Sequence, residues 1–206
     1  MALKDEATIE VMENGPLIVR GLHRVRTKDG EAVSEKNVMA LCRCGKSADK
    51  PFCDGSHSKS GFSGKRISEK PMDREKAYRG KDVIVHDNRV ICAHAGHCVR
   101  ELASVFTLKS RPWVNPDGDT VDSVVELVKR CPSGALSYSI DDVQHRNFES
   151  APSVEAEKGG PYRVTGDVHL KHELQPPSVR RFTLCRCGES QNKPFCDGSH
   201  HKVKFD

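Results

Sequence analysis

A sixteen-residue pattern of three cysteines and one histidine occurs twice, and it constrains the chain more than any other feature. The first copy runs from Cys42 to His57 and the second from Cys185 to His200, both with the spacing C-x-C-x8-C-x3-H. Cysteines two apart on an extended strand point to the same side, and a cysteine and a histidine four apart are about one helical turn apart. The spacing therefore predicts two metal sites, each held by two pairs of ligands.

Three chemistries compete for these ligands. Disulfides are disfavoured, because nine cysteines leave one unpaired and the N-terminus has no secretory signal. Zinc remains open, since three cysteines and one histidine form an ordinary structural zinc site. A [2Fe–2S] cluster uses four ligands as two per iron, which suits the division of the motif into a C-x-C pair and a C-x3-H pair.

Both copies resemble the signature of the CDGSH iron–sulfur family, the mitoNEET-like group: C-x-C-x2-[ST]-x3-P-x-C-D-G-[SAT]-H. Every fixed position is present, including Ser47 and Pro51 in the first copy and Ser190 and Pro194 in the second. The resemblance implies two [2Fe–2S] clusters. The two motifs in tandem, with a central domain between them, resemble the prokaryotic type of this family. The ligands that it implies are Cys42, Cys44, Cys53 and His57, then Cys185, Cys187, Cys196 and His200.

The segments before the motifs also repeat, which indicates an internal duplication. Residues 15–21 parallel residues 160–166, and residues 38–42 parallel residues 181–185. These segments predict strands, and residues 22–26 either continue the first strand or pair with it. Residues 28–30 predict a turn, and residues 1–14 predict a loose segment that leads into the first strand. About three strands per repeat are too few for a stable unit. We therefore expect the repeats to pair as an intramolecular pseudo-dimer within a monomer, as single-motif family members pair as homodimers.

Between the repeats lies a region with a different pattern. Residues 81–86 and 89–91 predict a hairpin, followed by a cysteine loop and a helix that reaches residue 106. A second helix, capped by Asp119 or Thr120, carries valines at helical spacing, and residues 135–140 predict a last strand.

This middle region resembles a divergent single-cluster bacterial ferredoxin. Cys92, Cys98 and Cys131, which precedes a proline, match three ligand positions of such proteins, whereas Ala95 stands at a fourth. The resemblance implies a [3Fe–4S] cluster, or a [4Fe–4S] cluster with an outside ligand such as His94, His97 or water. The alternative is a ferredoxin-like fold that has lost its cluster and keeps the cysteines as small buried residues.

The predicted fold is α+β, with two small β-rich CDGSH repeats paired as a pseudo-dimer around an inserted ferredoxin-like α+β domain. The predicted domains are residues 1–70, 71–150 and 151–206. Residues 69–76 and 147–159 are predicted linkers, because they are rich in charged and loop-forming residues. Aromatic residues make up only 5% of the chain. Metal clusters would therefore compensate for sparse apolar cores.

Composition and motifs limit the function classes. The net charge of +4 includes no basic block, so we expect no nucleic-acid partner. No run of 18 apolar residues and no transit peptide occur, so we expect no membrane association and a cytoplasmic location. Neither a positioned nucleophile nor a phosphate-binding loop is evident, so we expect no enzyme.

The leading prediction is a soluble iron–sulfur protein that transfers electrons to a redox partner protein. Alternatives are cluster storage or transfer to an apo-acceptor protein, redox or pH sensing, and a zinc-stabilised interaction module. Sensing would depend on His57 and His200, because a protonated imidazole cannot bind metal. We expect both rings to be partly exposed at the outer edge of each site, with His201 a surface residue.

Overall fold

The computed structural model describes residues 6–22, 25–27, 32–34 and 37–206, which form a mixed α+β structure with many strands and few helices. The strands near the N-terminus are β1 (Thr8–Val11), β2 (Leu17–Arg20), β3 (Val25–Thr27), β4 (Ala32–Ser34) and β5 (Val38–Leu41). Those near the C-terminus are β10 (Ser153–Ala156), β11 (Tyr162–Thr165), β12 (His169–Lys171) and β13 (Arg181–Leu184). Strands β6 to β9 lie between them.

Each terminal sheet contains strands from both ends of the chain. One sheet has the order β12-β1-β2-β5, and the other has the order β13-β11-β10-β3-β4. Strand β12 pairs in parallel with β1, with Thr8 opposite His169, and β3 pairs in parallel with β10, with Val25 opposite Val154. The C-terminal segment therefore contributes β12 to one sheet, and the N-terminal segment contributes β3 and β4 to the other.

One apolar core joins the two terminal segments. Ile9 and Leu41 from the N-terminal segment belong to the same buried cluster as Val154 and Leu184 from the C-terminal segment. Burial of apolar side chains is the main stabilising term for such sheets. Neither segment alone supplies this core.

The strand exchange explains two incorrect predictions. The predicted lead-in contains β1, and the predicted linker at 147–159 contains β10. Both strands gain partners from the opposite end of the chain, which a local pattern does not reveal. Strand β3 pairs with β10 rather than with β2, and the predicted turn at residues 28–30 lies outside the described residues.

The middle of the chain forms an antiparallel sheet with two helices. Its strands, in the order β6-β7-β8-β9, are β6 (Lys76–Arg79), β7 (Ile84–Asp87), β8 (Leu136–Ile140) and β9 (Val143–His145). Its helices are α1 (His97–Glu101), the 3₁₀ turn Pro116–Gly118 and α2 (Val121–Lys129). Val85, Phe106, Val124 and Tyr138 form part of a second, separate core.

Helix α2 and strand β8 confirm the sequence predictions, and the Thr120 side chain accepts a hydrogen bond from the Ser123 N–H as the N-cap. The predicted hairpin is wrong, because β7 pairs with β6 and β8 and residues 89–91 form a turn. The first helix is shorter than predicted and ends at Glu101. Strand β6 begins at Lys76, the last residue of the predicted linker at 69–76.

Buried Arg181 connects the middle sheet to the second repeat. Its guanidinium donates hydrogen bonds to the carbonyl oxygens of Val128 and Lys129, both at 2.6 Å, and of Leu136 at 3.0 Å. Two of these carbonyls lie at the C-terminal end of α2, where a positive charge is favourable. Among the described residues, no helix has the length and apolarity needed to span a bilayer.

Candidate metal centres

The structure groups the motif ligands into two pairs per repeat. In the first repeat, 3.6 Å separates Sγ of Cys42 from Sγ of Cys44, and 3.4 Å separates Sγ of Cys53 from Nδ1 of His57. In the second repeat, the Cys185–Cys187 sulfurs are 3.9 Å apart. Sγ of Cys196 is 3.3 Å from Nδ1 of His200.

Backbone hydrogen bonds bring the two pairs of each repeat to one place. The Cys42 N–H donates to the Pro51 carbonyl at 2.8 Å, and the Cys53 N–H donates to the Ala40 carbonyl at 2.9 Å. The second repeat has the same two bonds, from Cys185 to Pro194 and from Cys196 to Thr183. The loop after the C-x-C pair therefore returns along the strand that delivers this pair.

Two side chains of the motif hold the returning loop. The Ser47 hydroxyl donates to the Phe52 carbonyl at 2.7 Å, and Ser190 does the same at Phe195. The Asp54 carboxylate accepts from the N–H groups of Ala48 and Ser56, and these bonds lower its pKa.

A short 3₁₀ turn over Ser56–Ser58 follows Asp54, with Gly55 as its cap residue. His57 lies within this turn.

The paired distances fit metal ligation. With metal bonds of about 2.3 Å to sulfur and 2.0 Å to nitrogen, two ligands of one tetrahedral metal lie roughly 3.5–3.8 Å apart. Within the described ranges, no three His, Cys, Asp or Glu side chains form a group that could hold one metal ion. All nine cysteines lie in these ranges and none forms a disulfide. Each repeat thus presents its four motif ligands as two close pairs.

The arginine inside each C-x-C pair is a site residue that the sequence analysis missed. Arg43 donates to the carbonyls of Gly15 and Met12 at 2.6 and 2.5 Å, and its guanidinium lies 5.2 Å from the ring centre of Phe62. Its counterpart Arg186 makes the same kinds of contact and is also buried. The sequence could have indicated this arginine, because a residue between two cysteines on a strand points to the opposite side from both of them.

The two ligand loops touch each other. Cys44 and Cys187 form an isolated antiparallel bridge. A Cβ at Gly45 would lie 2.6 Å from the Cys187 carbonyl oxygen, and one at Gly188 would lie 2.6 Å from the Cys44 carbonyl oxygen. Both glycines have positive φ, so glycine is required for both backbone shape and close approach.

Tyr162, from the second repeat, supports the loop of the first. Its buried hydroxyl lies 2.7 Å from the Cys42 carbonyl oxygen and 2.9 Å from the Pro51 carbonyl oxygen, and it donates a hydrogen bond shared between them. The corresponding residue in the first repeat is Leu17, which has no hydroxyl. The support is therefore one-sided.

The two histidines lie in different environments, which corrects one expectation. His57 is partly exposed as predicted, whereas His200 is buried, with 7% of its surface exposed. His201 is exposed, and its ring centre lies 4.1 Å from that of His200. Burial, followed by the nearby His201, lowers the pKa of His200 to about 4.

Burial also affects the thiols of the metal-free chain. It raises the pKa of Cys44 and of Cys196, because a buried thiolate without a counter-charge is unfavourable. A metal must therefore displace protons from these groups on binding. Backbone N–H groups of Lys46 and Gly198 point at the sulfurs of Cys44 and Cys196 at 3.5 and 3.4 Å, where they favour thiolate.

The three middle-domain cysteines line one small pocket, with a cavity volume of about 30 Å³. Burial, followed by the charge of nearby Cys131, raises the pKa of Cys98 and raises that of Cys92 to about 12. Ala95 lines the same pocket and leaves it without a fourth cysteine.

Both candidate outside ligands, His94 and His97, line this pocket and also contact other residues. His97 lies 2.6 Å from the Glu101 carboxylate through Nδ1. The His94 ring contacts the second repeat at Gly198, although His94 also lines the cysteine pocket.

The comparisons with known proteins follow this division of the chain. Residues 14–58 and 159–201 both match the family model described as the iron-binding zinc finger of CDGSH type. The chain belongs to the CDGSH family. Residues 78–141, between its two CDGSH repeats, match the model described as a divergent 4Fe-4S mono-cluster domain. This CDGSH protein is therefore an iron–sulfur protein.

Two curated relatives are similar to part of the CDGSH protein. Both are named "Uncharacterized protein YjdI", one from Escherichia coli strain K12 and one from Escherichia coli O157:H7. Each is 44% identical over 63 residues, which cover 31% of this chain and 83% of the relative. No solved structure is significantly similar to the chain.

Proposed function

We propose that this protein transfers electrons through two [2Fe–2S] clusters, each held by three cysteines and one histidine. The ligands are Cys42, Cys44, Cys53 and His57 in the first repeat, and Cys185, Cys187, Cys196 and His200 in the second. The observation that carries the proposal is the grouping of these ligands into pairs.

The pairs favour a two-iron cluster over zinc. One zinc ion would require all four ligands of a repeat around a single point. A [2Fe–2S] cluster assigns two protein ligands to each iron, so a sulfur pair and a sulfur–nitrogen pair fit it. The observed separations of 3.3–3.9 Å within the pairs suit two ligands on one iron.

A bound cluster would supply a one-electron acceptor and donor, and the surrounding residues tune it. A neutral imidazole in place of a thiolate makes each site less anionic, which favours the reduced state. The N–H groups near Cys44 and Cys196 act in the same direction. The buried charge of Arg43 lies close to Cys185 of the other repeat and also offsets thiolate charge.

We also propose that the repeats form an intramolecular pseudo-dimer within a monomer. The reciprocal strand pairings, β12 on β1 and β3 on β10, support this arrangement. The reciprocal approach of Gly45 to Cys187 and of Gly188 to Cys44 supports a twofold relation between the ligand loops.

For the middle domain we propose a ferredoxin-like fold with a third cluster, [3Fe–4S] or [4Fe–4S], held by Cys92, Cys98 and Cys131. Their position around one pocket supports this assignment. Such clusters take one cysteine per iron, so the three thiols need not converge on a single metal.

Metal analysis and redox titration of anaerobically purified protein test the proposal. We expect at least four iron and four acid-labile sulfide per chain, a red-brown colour, and reversible one-electron reduction without loss of iron. Stoichiometric zinc without sulfide would exclude the clusters. Rapid loss of cluster to an apo-acceptor protein, with no reversible reduction, would instead indicate cluster transfer.

A further inference from the structure

The cysteine loop of the middle domain covers one CDGSH site. A Cβ at Gly198 would overlap the ring of His94, whereas a Cβ at the equivalent Gly55 has no neighbour within 4 Å. The His201 ring nitrogen lies 3.2 Å from the His94 carbonyl oxygen, and Asn192 donates to the Val90 carbonyl at 3.0 Å. The second site is therefore enclosed by residues 90–94.

The same loop places a middle-domain ligand next to a CDGSH ligand. The loop carries Cys92, which is partly buried, and it packs on the segment that carries Cys196, which is buried. His94 lines the middle cysteine pocket and also touches Gly198, between the second-repeat ligands Cys196 and His200. One short loop thus bridges two ligand sites.

A second contact leads from the second repeat to the first. The backbones of Cys44 and Cys187 are bridged, and each following glycine packs against the other repeat's ligand loop. At the far end of this series, Cys53 and His57 are only partly buried. The three sites therefore touch in the order middle domain, second repeat, first repeat.

We propose that the three sites form one ordered electron path, which enters at the middle-domain cysteine pocket and leaves at the partly exposed ligands of the first repeat. The path rests on the proposed function, because it requires a cluster at each site. Cys98, which is partly buried, lies at the entry, and an external one-electron donor protein can approach it.

Each transfer moves one electron and no atoms. The donor protein is oxidised by one electron, the electron passes in turn through the middle, second and first sites, and an external acceptor protein is reduced by one electron at the first site. Histidine ligation raises the reduction potential of each repeat above that of an all-cysteine [2Fe–2S] site, which makes the repeats better electron acceptors.

The first test removes one CDGSH site at a time from the holoprotein. Dithionite-reduced Cys42→Ser and Cys185→Ser proteins are mixed with oxidised cytochrome c as a one-electron acceptor. We expect Cys185→Ser to deliver its first-repeat electron as fast as the parent. Cys42→Ser should deliver its second-repeat electron at least about tenfold more slowly, because the exit site is missing and residues 90–94 keep the acceptor away from the second site until they open locally. Equal rates would overturn the path.

The second test needs no ligand substitution, so it remains decisive if those variants fail to fold. A hydrophilic iron chelator should remove the parent's CDGSH clusters in two phases, with the second-repeat cluster in the slow phase. Gly198→Ala should displace His94 and accelerate that phase by about tenfold. Gly55→Ala carries a similar backbone strain at φ 88° but meets no neighbour, so it controls for strain alone.

The outcomes separate the path from the function on which it rests. Four iron and four sulfide that leave in a single phase would exclude the path and keep the clusters. An unchanged slow phase in Gly198→Ala would also exclude it. Protein that lacks sulfide would exclude both.

Discussion

The two CDGSH repeats share a motif and a local geometry, but they differ in their surroundings. Their sulfur and nitrogen pairs have nearly the same separations, and the same serine and aspartate bonds hold both loops. Yet His57 is partly exposed, whereas His200 is buried beneath the middle domain. The motif thus determines the ligand arrangement, and neighbouring segments determine access to it.

Support for the loops differs in the same way. The first loop depends on Tyr162 of the other repeat, while the second depends on contacts from the middle domain through His94 and Val90. The two copies of the duplicated sequence therefore lie in different environments because they pack against different neighbours. Three predictions test this difference.

The largest effect is expected when the equivalent cysteines Cys53 and Cys196 are each replaced by serine. Each variant should lose two iron and two sulfide, because a two-ligand iron then lacks one thiolate. Cys196→Ser should also lower the melting temperature more, because Cys196 is 3% exposed whereas Cys53 is partly exposed, so the more polar hydroxyl is buried more fully at position 196. Iron analysis and thermal unfolding measure both effects.

Cys131→Ser is the matched control, since it should remove only middle-domain iron. Retention of all four CDGSH iron atoms in either repeat variant would contradict the ligand assignment. Equal melting temperatures for the two repeat variants would show that burial of the second site adds no stability.

A smaller effect is expected for Tyr162→Phe, which removes the hydroxyl that bonds the carbonyls of Cys42 and Pro51. The Pro51 carbonyl keeps its bond from the Cys42 N–H, whereas the buried Cys42 carbonyl loses the Tyr162 donor, which should cost about 1–3 kcal/mol. The cluster of the first repeat should then be lost faster than that of the second, although Tyr162 belongs to the second repeat.

Urea unfolding and chelator-driven iron loss measure this effect. Tyr138→Phe, a buried tyrosine in the middle domain, serves as the control and should leave the first site unaffected. Faster loss from the second site in Tyr162→Phe would show that the cross-repeat bonds do not support the first loop.

The smallest effect concerns acid sensitivity. Protonated imidazole cannot bind iron, and burial lowers the pKa of His200 to about 4. The second-repeat cluster should therefore persist to lower pH than the first, whose histidine is partly exposed. In the metal-free chain, the neutral buried His200 makes stability fall as pH drops below about 6.5, its unfolded-state value.

Visible absorbance during an acid titration checks the order of loss, with Cys53→Ser and Cys196→Ser assigning the steps. Simultaneous loss of both clusters would mean that burial of His200 does not protect its site. Earlier loss of the second cluster would reverse the comparison.

The sequence by itself determined the local features of this protein. The repeated spacing predicted the ligand pairs, because strand alternation and one helical turn fix which side chains point together. The strands before each motif, helix α2 with its Thr120 cap and strand β8 were also predictable from local patterns. The family matches agree with the two repeats and the middle cluster domain.

Only the tertiary structure decided the long-range features. Strands β1 and β10 have weak local patterns and form because each joins a sheet completed from the opposite end of the chain. The environments of His57 and His200 could not be distinguished from identical motifs, since burial depends on residues about a hundred positions away. Local spacing sets which atoms can bind a metal, whereas packing between distant segments sets which site is open to solvent and which is enclosed.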